Sequence, residues 1–390
     1  MRTLSNSICS AFLLAILFFV PKPAPSQTVP DFKYSPPAKL NDGIPTGTLS
    51  SAKLDKAKVS AGMNEVLKRT YGNIHSVLIF RNGNLVCEEY FTGPDENNHK
   101  GAIGIVAHNR ETLHDLRSIS KSVVALAVLI AHSQGKIKDL DQPVFSFFPE
   151  YVSHAQGEKK SITVRHALTM TPGLEWDEEM PYSNAASSAV QMNSAPNTIE
   201  FVLSRKLINK PGTVFEYNGG MTQLLAAIIK KTSGVNIEEF TKKHLLTPLG
   251  ITKSEWAKLK GEPDADSGLR LRSRDIAKIG SLVMNGGTWN GKSIIKLRLS
   301  NDATTSKIKV SEDADGWKTS YGYQIWLQSF PEAGKVYSVI EFSGNGGQKV
   351  LIDKKNDLMV VITAGNYDAK DLKKHSFDIL LDIVYPAMKD

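Results

Sequence analysis

Ser118 and Lys121 are the two residues whose types and spacing point most directly to chemistry. They precede the run Val123–Ala131, which contains no polar residue, and a helix that is apolar on every side has to be buried. One helical turn separates the two side chains, so they would share a face at the start of that helix. A serine hydroxyl is a weak nucleophile that a nearby neutral amine can activate. The pair therefore predicts covalent catalysis by Ser118.

Lys121 can serve as the base only if its amine is neutral, which requires a pKa far below the ordinary lysine value of about 10.4. We expect burial and neighbouring like charges to lower it. Backbone N–H groups at the helix start would stabilise a developing oxyanion. The S-x-x-K spacing alone is common, and its alternative interpretation is an exposed serine cap with a solvated lysine. The apolar run directly after Lys121 favours the catalytic interpretation.

Strand patterns cluster at the two ends of the chain, and helical patterns fill its middle. Asn82 and Gly83 give a hairpin signal between the first two strand-like runs. The chain therefore predicts an α/β fold, in which an antiparallel sheet is flanked by N- and C-terminal helices and interrupted by an all-helical insertion. The predicted strands are Ile74–Phe80, Leu85–Phe91, Tyr321–Gln328, Val336–Phe342, Lys349–Asp353 and Leu358–Thr363, and the predicted terminal helices are 52–70 and 370–388.

The start of the chain has the pattern of an export signal. Arg2 precedes the apolar run Ala11–Val20, and small residues follow before Gln27. That run is about half the length that spans a bilayer. We therefore expect a signal peptide, 1–26, to be removed and the protein to be exported, either periplasmic or secreted. The alternative is an uncleaved anchor, which would give the protein its only membrane contact.

The rest of the chain is predicted to comprise an arm and one domain. Residues 27–50 are rich in Pro, Gly, Ser and Thr, which predicts a flexible N-terminal arm. The domain, 51–390, would have an α/β part and a helical part. The α/β part is predicted at 51–117 and 268–390, and the helical part at 118–267.

Composition excludes several classes of protein and partner. A hydrophobic fraction of 41% with 22% charged residues is that of a soluble globular protein and not of a disordered or polytopic membrane protein. The net charge of +7 is mild for 390 residues, so we expect no nucleic acid partner. Cys87 is the only cysteine outside the leader, so no disulfide framework is expected.

Neither a metal nor a nucleotide is predicted. No two of the nine histidines form a close ligand pair in the sequence, so no zinc site is expected. Gly286–Ser293 has the spacing of a phosphate-binding P-loop, but a helical pattern precedes it where a strand is required. We expect no cofactor. The acidic residues Glu175 and Asp177–Glu179 are interpreted as a solvated loop beside the pocket entrance.

Six stretches, in chain order, resemble the serine β-lactamase and penicillin-binding-protein superfamily. Within it, the sequence is similar to the class C branch that includes carboxylesterases, D-alanyl-D-alanine carboxypeptidases and 6-aminohexanoate-dimer hydrolases. The resemblance extends from about residue 70 to 385 and implies a β-lactamase/transpeptidase-like fold, with Ser118 as nucleophile and Lys121 as general base. The stretches are 116–128, 162–178, 211–229, 240–251, 268–294 and 344–348.

The second motif of this superfamily is Tyr-x-Asn, whose tyrosine assists proton transfer, and two places compete for it. Tyr182 with Asn184 matches the letters but lies in a polar loop. Tyr217 matches only the tyrosine, yet the sequence on both sides of it resembles the family. We therefore predict Tyr217 as the catalytic tyrosine, and Tyr182 either as a substrate contact at the pocket rim or as a solvated loop residue. Because Gly219 replaces the asparagine, Asn218 is the candidate to bind a substrate amide.

The third motif is Lys-Thr-Gly or His-Thr-Gly, and the matching position is Asn345-Gly346-Gly347. The resemblance implies that these three residues contact substrate, since glycines allow a strand edge to approach it closely. The N–H groups of Ser118 and Gln348 would form the oxyanion hole. Asn345 lacks the cation that pairs with the carboxylate of a β-lactam or peptide, which disfavours β-lactam hydrolysis.

These residues together predict an exported serine hydrolase of carboxylesterase or amidohydrolase type. It would cleave an ester or amide bond in a small molecule or peptide through an acyl-serine intermediate. One alternative keeps the chemistry with another substrate, as a β-lactamase or D-alanyl-D-alanine carboxypeptidase. The other alternative is a non-catalytic cell-wall receptor that is acylated without turnover.

Overall fold

The computed structural model describes residues 31–180, 184–369 and 372–389. The predicted signal peptide and Tyr182 lie outside these ranges. The helices are α1 Lys56–Leu67, α2 Ile119–Ser133, α3 Val164–Leu168, α4 Ser188–Ser194, α5 Thr198–Ser204, α6 Gly219–Ser233, α7 Ile237–Thr241, α8 Ser273–Met284, α9 Leu297–Ala303 and α10 Tyr385–Ala387. Short 3₁₀ segments lie at Val144–Phe147, Pro149–His154, Gly157–Ser161 and Lys354–Asn356, and π turns at Lys242–Leu246 and Leu380–Val384.

Seventeen strands are present in the described residues. Eight of them form one sheet in the order β12-β13-β14-β15-β16-β17-β1-β2, with every neighbouring pair antiparallel. The strands are β1 Ile74–Arg81, β2 Asn84–Tyr90, β3 Thr92–Asn97, β4 Gly101–Ala107, β5 His114–Asp115, β6 Glu255–Trp256, β7 Lys258–Leu259, β8 Glu262–Pro263, β9 Leu269–Leu271, β10 Thr288–Trp289, β11 Lys292–Ser293, β12 Ile308–Glu312, β13 Lys318–Tyr321, β14 Trp326–Glu332, β15 Lys335–Gly344, β16 Gln348–Asp353 and β17 Leu358–Ala364.

The large sheet separates two apolar cores. Alternate residues of β1 point to opposite faces, so Leu78 and Phe80 join the core that contains α2, α6 and α8, whereas Val77 and Ile79 join the core that contains α1 and the C-terminal turns. Because both faces are covered, every residue of β1 except Arg81 is buried. The observed architecture is therefore a mixed α/β fold with a covered antiparallel sheet, which confirms the predicted fold class.

Helix α2 is the central helix, and its first turn lies against the end of β15. Its residues from Ile119 to Ala131 are all buried, as the apolar run predicts. It packs against α6 and β15. A side chain at Gly344 would collide with the carbonyl oxygen of Leu116, so only glycine allows this strand end to lie beside the residues that precede α2.

Several predicted elements differ from the observed ones. The strand predicted at Tyr321–Gln328 is wrong, since β13 ends at Tyr321 and β14 begins only at Trp326. The C-terminal helix predicted at 370–388 is shorter, because its first described part is irregular and helical turns begin near Leu380. Patterning also failed to indicate the β3–β4 hairpin and the short strands between α7 and α8. The predicted helix 52–70, the first hairpin and the last three strands are confirmed.

The described part of the predicted N-terminal arm contacts the sheet. Tyr34 donates a hydrogen bond from its hydroxyl to Val86 O at 3.0 Å, and Thr46 forms a bridge with Leu85. Ile44 and Leu49 are buried. The segment thus runs along the domain without helix or strand, held by more contacts than a loose arm makes. None of the helices in the described ranges has the length and apolarity needed to cross a bilayer.

Candidate active site

Ser118 occupies the N-cap position of α2, and Lys121 lies one turn further on. Lys121 Nζ donates a hydrogen bond to Ser118 Oγ at 3.2 Å. The Ser118 hydroxyl makes no capping hydrogen bond, so capping does not occupy it. It borders a cleft of about 230 Å³ whose walls include Asp266 and Asn345. The nucleophile predicted from the sequence therefore reaches an open cleft, in contact with the predicted base.

Lys121 is buried among acidic groups. Only 2% of its side chain is exposed. Its ammonium lies 3.2 Å from Asp266 Oδ2 and 3.8 Å from Glu178 Oε1, and it donates to Asp266 O at 3.1 Å. The expectation of neighbouring like charges is therefore wrong in sign, although the expected burial is present. These contacts hold the Lys121 side chain in place beside Ser118.

Tyr217 meets this pair as predicted. Its ring centroid lies 5.0 Å from Lys121 Nζ, and its hydroxyl is in hydrogen-bond contact with Ser118 and Lys121. Burial raises the pKa of Tyr217, although the Lys121 cation and these two hydrogen bonds act in the opposite direction. The ring stacks on Trp326 with the centroids 5.7 Å apart. Three candidate catalytic side chains thus converge at one point.

Two carboxylates fill the space that the motif asparagine would need. A side chain at Gly219 would place its Cβ 2.7 Å from Asp266 Oδ2 and 3.2 Å from Glu178 Oε1. Glu178 also accepts hydrogen bonds from Gly219 N at 2.7 Å and from Trp176 Nε1 at 2.9 Å. Its interpretation as part of a solvated loop is therefore wrong. Asn218 is fully buried and caps α6 by accepting from Met221 N at 3.1 Å, which removes it from the position of a substrate ligand.

Asp264 and Asp266 form a buried pair whose two carboxyl groups have pKa values shifted in opposite directions. Gln223 Nε2 donates to both, at 2.8 Å and 2.6 Å. Burial raises the pKa of Asp266 well above its ordinary value, and the nearby Asp264 adds to this. Burial acts on Asp264 in the same direction, but hydrogen bonds from His99, Asp266 and Ser267 outweigh it and lower its pKa. Asp266 is therefore the member whose pKa is the higher of the two.

Asp266→Asn and Asp264→Asn are expected to change stability in opposite directions. Because the pKa of Asp266 is higher in the folded than in the unfolded protein, its contribution to the free energy of unfolding is complete below pH 4. As the pH rises from there toward the folded-state pKa, that contribution falls by about 1.4 kcal/mol for each pH unit. Asp266→Asn removes that loss, so we expect it to raise the free energy of unfolding at pH 7.5 by about 1–3 kcal/mol relative to its effect at pH 4.5.

Asp264 serves as the matched control because its pKa is lowered. At pH values above the ordinary aspartate pKa, the Asp264 carboxylate stabilises the folded protein. That stabilisation is lost as the pH falls through the lower pKa that Asp264 has in the folded state. Asp264→Asn should therefore destabilise the protein at pH 7.5 by about 1–3 kcal/mol. Denaturant unfolding at several pH values measures both, and equal effects of the two substitutions would contradict the assigned pKa shifts.

The turn after β15 brings Asn345 to the cleft but not Gln348. Asn345 and Asp368 are joined by two hydrogen bonds of 2.8 Å and 3.1 Å. A side chain at Gly346 would collide with Tyr367, and one at Gly347 would collide with Ser376. Packing within the protein therefore requires these two glycines, whereas the sequence analysis predicted that they let the strand edge approach a substrate. Gln348 is fully buried.

The side chain of Gln348 is engaged within the sheet. It donates to Ala364 O at 2.5 Å and accepts from Ala364 N at 3.0 Å. These bonds bridge β16 and β17 where they separate. Its predicted role in the oxyanion hole concerns the backbone N–H, and that role stays a prediction.

Sequence reasoning did not identify Glu178, Asp264, Asp266 or His99 as site residues. His99 Nε2 lies 2.7 Å from Asp264 Oδ2, and this hydrogen bond raises the pKa of His99. One sequence feature could have indicated them. Asp264 and Asp266 stand two residues apart just before Gly268 and Leu269, and closely spaced acidic residues that become buried need hydrogen-bonding or charged partners.

The fold and the placement of Ser118 and Lys121 define a protein of the β-lactamase/transpeptidase fold. The Beta-lactamase family matches residues 75–381, and the chain belongs to that family. The resemblance found in the sequence is thereby confirmed. Relatives and structural neighbours in this superfamily include hydrolases and penicillin-binding-protein homologues.

Three similar proteins illustrate the range. The chain is 24% identical over 301 residues to the 6-aminohexanoate-dimer hydrolase of Paenarthrobacter ureafaciens, covering 69% of this chain and 71% of that protein. It is 23% identical over 182 residues to protein flp of Staphylococcus aureus (strain NCTC 8325 / PS 47), covering 46% of this chain and 34% of that protein's length. The structure of a family VIII carboxylesterase superposes with a TM-score of 0.62 at 16% identity, covering 85% of this chain and 97% of that one.

Proposed function

We propose that this protein is an exported serine hydrolase that cleaves ester or amide bonds through an acyl-serine intermediate. The observation that carries the proposal is the convergence of Ser118, Lys121 and Tyr217 beside an open cleft. Lys121 Nζ lies 3.2 Å from Ser118 Oγ, which is within the range for proton transfer between a nucleophile and its base. Export rests on the predicted signal peptide, 1–26.

The chemistry proceeds in two halves. In the reactive form Lys121 carries a neutral amine. Ser118 Oγ attacks the carbonyl carbon while its proton passes to that amine, directly or through the Tyr217 hydroxyl, and the same groups then protonate the leaving alcohol or amine. Water attacks the acyl-serine, gives up a proton to this pair, and releases the acid and free Ser118. The N–H of Ser118 is the first oxyanion donor. We propose the N–H of Gln348, at the start of β16, as the second donor, as the family resemblance implies.

The Asn345 side of the cleft argues against a substrate carboxylate at that position. Asn345 stands where β-lactam-binding relatives have a cation, and its amide is hydrogen-bonded to the Asp368 carboxylate. A substrate carboxylate placed there would meet a like charge, which costs free energy. We therefore propose small esters and amides without a carboxylate at the Asn345 end of the cleft as substrates, in keeping with the name of the carboxylesterase neighbour.

Covalent labelling tests the proposal directly. We expect a short-chain p-nitrophenyl ester or a fluorophosphonate to add one acyl or phosphonyl group per chain, located by peptide mass spectrometry on Ser118. Ser120→Ala is the matched control, because Ser120 is buried and accepts from Leu269 N at 3.1 Å, and it should label as the wild type does. Labelling without turnover would instead support the stalled receptor, and labelling elsewhere would contradict the proposal.

A further inference from the structure

Three histidines and one aspartate from four separate segments meet in the interior, apart from the catalytic cleft. His75 lies on β1, Asp95 on β3, His108 directly after β4, and His114 on β5. One potential ligand atom from each lies within 4.8 Å of all the others. None of the four side chains is more than 3% exposed. A polar cluster this deeply buried requires compensation for every unpaired atom.

The hydrogen bonds of two of these histidines leave unprotonated nitrogens facing each other. His75 Nε2 lies 3.1 Å from Pro94 O, and His114 Nδ1 lies 3.0 Å from Asp115 O. A carbonyl oxygen only accepts, so each of these nitrogens carries the proton of its neutral ring. The remaining nitrogens, His75 Nδ1 and His114 Nε2, are 2.8 Å apart. Two lone pairs at that distance repel unless a cation lies between or beside them.

The other two side chains point acceptor atoms into the same space. His108 Nε2 is buried and has no hydrogen-bond partner among the described residues. Asp95 places Oδ2 3.8 Å from it and Oδ1 3.9 Å from both His75 Nδ1 and His114 Nε2.

We propose that His75, Asp95, His108 and His114 bind one Zn²⁺ ion. Neutral imidazole and carboxylate are ordinary zinc ligands, and tetrahedral bonds of about 2.0–2.1 Å place neighbouring ligand atoms about 3.3 Å apart. The two histidine nitrogens 2.8 Å apart and the carboxylate oxygens 3.8–3.9 Å from the three rings lie on either side of that value, and all four ligand atoms lie within 4.8 Å of one another. Four protein ligands leave no open position, which makes the site structural.

The surroundings support the ligands as they do in other zinc sites. A ligating histidine commonly donates its second ring N–H to a carbonyl group, which fixes the ring and its tautomer. Pro94 O and Asp115 O have this role here. Tyr367 donates from its hydroxyl to Asp95 Oδ1 at 3.0 Å, which orients the carboxylate. The expectation of no zinc site considered only neighbours in the sequence, whereas these ligands come from segments that only the fold brings together.

The ion would fasten the β3–β4 hairpin to the body of the protein. A two-stranded hairpin is marginally stable by itself, and β4 exposes Ile103 and Ile105 at 48% and 72%. Asp95 lies in the middle of β3 and His108 directly follows β4, while His75 lies on β1 of the large sheet and His114 on β5. His114 also lies four residues before Ser118, so the ion would hold the segment that leads into the nucleophile.

Metal content and thermal unfolding of the full chain test the site. We expect protein produced with added zinc to hold about one Zn²⁺ per chain, and removal by a chelator to lower the unfolding midpoint by at least about 5 °C, reversed by ZnCl₂. Co²⁺ in place of zinc should give the visible absorption of a tetrahedral ion. These readouts do not depend on catalysis, so they can fail without affecting the proposed hydrolase activity.

His108→Gln is the sharpest variant, because His108 Nε2 has no other partner to lose. It should bind no zinc and unfold at the same temperature with and without the ion, close to the metal-free wild type. His154→Ala is the matched control, a partly exposed histidine outside the cluster, and it should retain the ion. Wild-type protein with less than about 0.1 zinc per chain and no midpoint shift on adding ZnCl₂ would overturn the proposal. So would His108→Gln with undiminished zinc.

Discussion

Ser118→Ala is expected to lower kcat/KM for a p-nitrophenyl ester by at least about 10⁴-fold, because loss of an activated nucleophile leaves only binding and oxyanion stabilisation. The hydroxyl makes no capping bond in α2, so the free energy of unfolding should change by less than about 1 kcal/mol. Steady-state hydrolysis by the variant and the wild type measures the first quantity, and denaturant unfolding measures the second.

The two measurements together separate chemistry from folding. A folded Ser118→Ala protein that hydrolyses the ester at the wild-type rate would remove Ser118 from the mechanism and leave the observed ester cleavage unexplained by this site. Ser120→Ala shows whether a serine-to-alanine change in the same turn of α2 affects the rate through packing alone.

Lys121→Met is expected to lower kcat by about 10³-fold or more, with a smaller change in KM, because the variant lacks both the proton acceptor and the cation beside Ser118. Removing one member of a buried ion pair ordinarily costs about 3–5 kcal/mol of stability. Hydrogen bonds from Trp176 and Gly219 to Glu178 should reduce that cost. Stopped-flow acylation and denaturant unfolding measure the two effects.

Two further lysine variants separate the possible roles of Lys121. Lys121→Arg keeps the charge but cannot act as a base, so it should remain as inactive as Lys121→Met if proton transfer is the essential role. Recovery of most of the activity in Lys121→Arg would show that the cation alone is required. Lys278→Met is the matched control, since Lys278 is also buried, 3.0 Å from Asp275, and its loss should affect stability without affecting kcat.

The parts of the fold that follow from short-range patterns could be predicted from the sequence. The strands β16 and β17 are apolar and rich in β-branched residues, and Asp357 adopts a positive φ of 45° in the turn between them. Apolar segments rich in β-branched residues favour strands over other secondary structure. The same holds for α2, because an apolar run of this length after Ser118 has to be buried wherever the chain goes.

The wrong strand prediction at Tyr321–Gln328 has a long-range cause. The chain between β13 and β14 reads as a continuous strand, but Gly322 donates to Ile325 O at 2.9 Å and Tyr323 donates to Ala303 O at 3.0 Å. The contact with the end of α9 turns the backbone out of the sheet there. Local propensity could not indicate this, because the partner lies elsewhere in the sequence.

The sequence by itself predicted the candidate nucleophile, its lysine and the candidate catalytic tyrosine, since Ser118 and Lys121 share one helix turn and the residues on both sides of Tyr217 resemble the family. Tertiary structure alone decided what surrounds them. The carboxylates of Glu178 and Asp266 reach Lys121 from distant segments and take the space of the missing asparagine. The buried histidine cluster arises in the same way. Its residues come from separate segments of the chain, and a sequence pattern cannot show which distant segments the fold brings together.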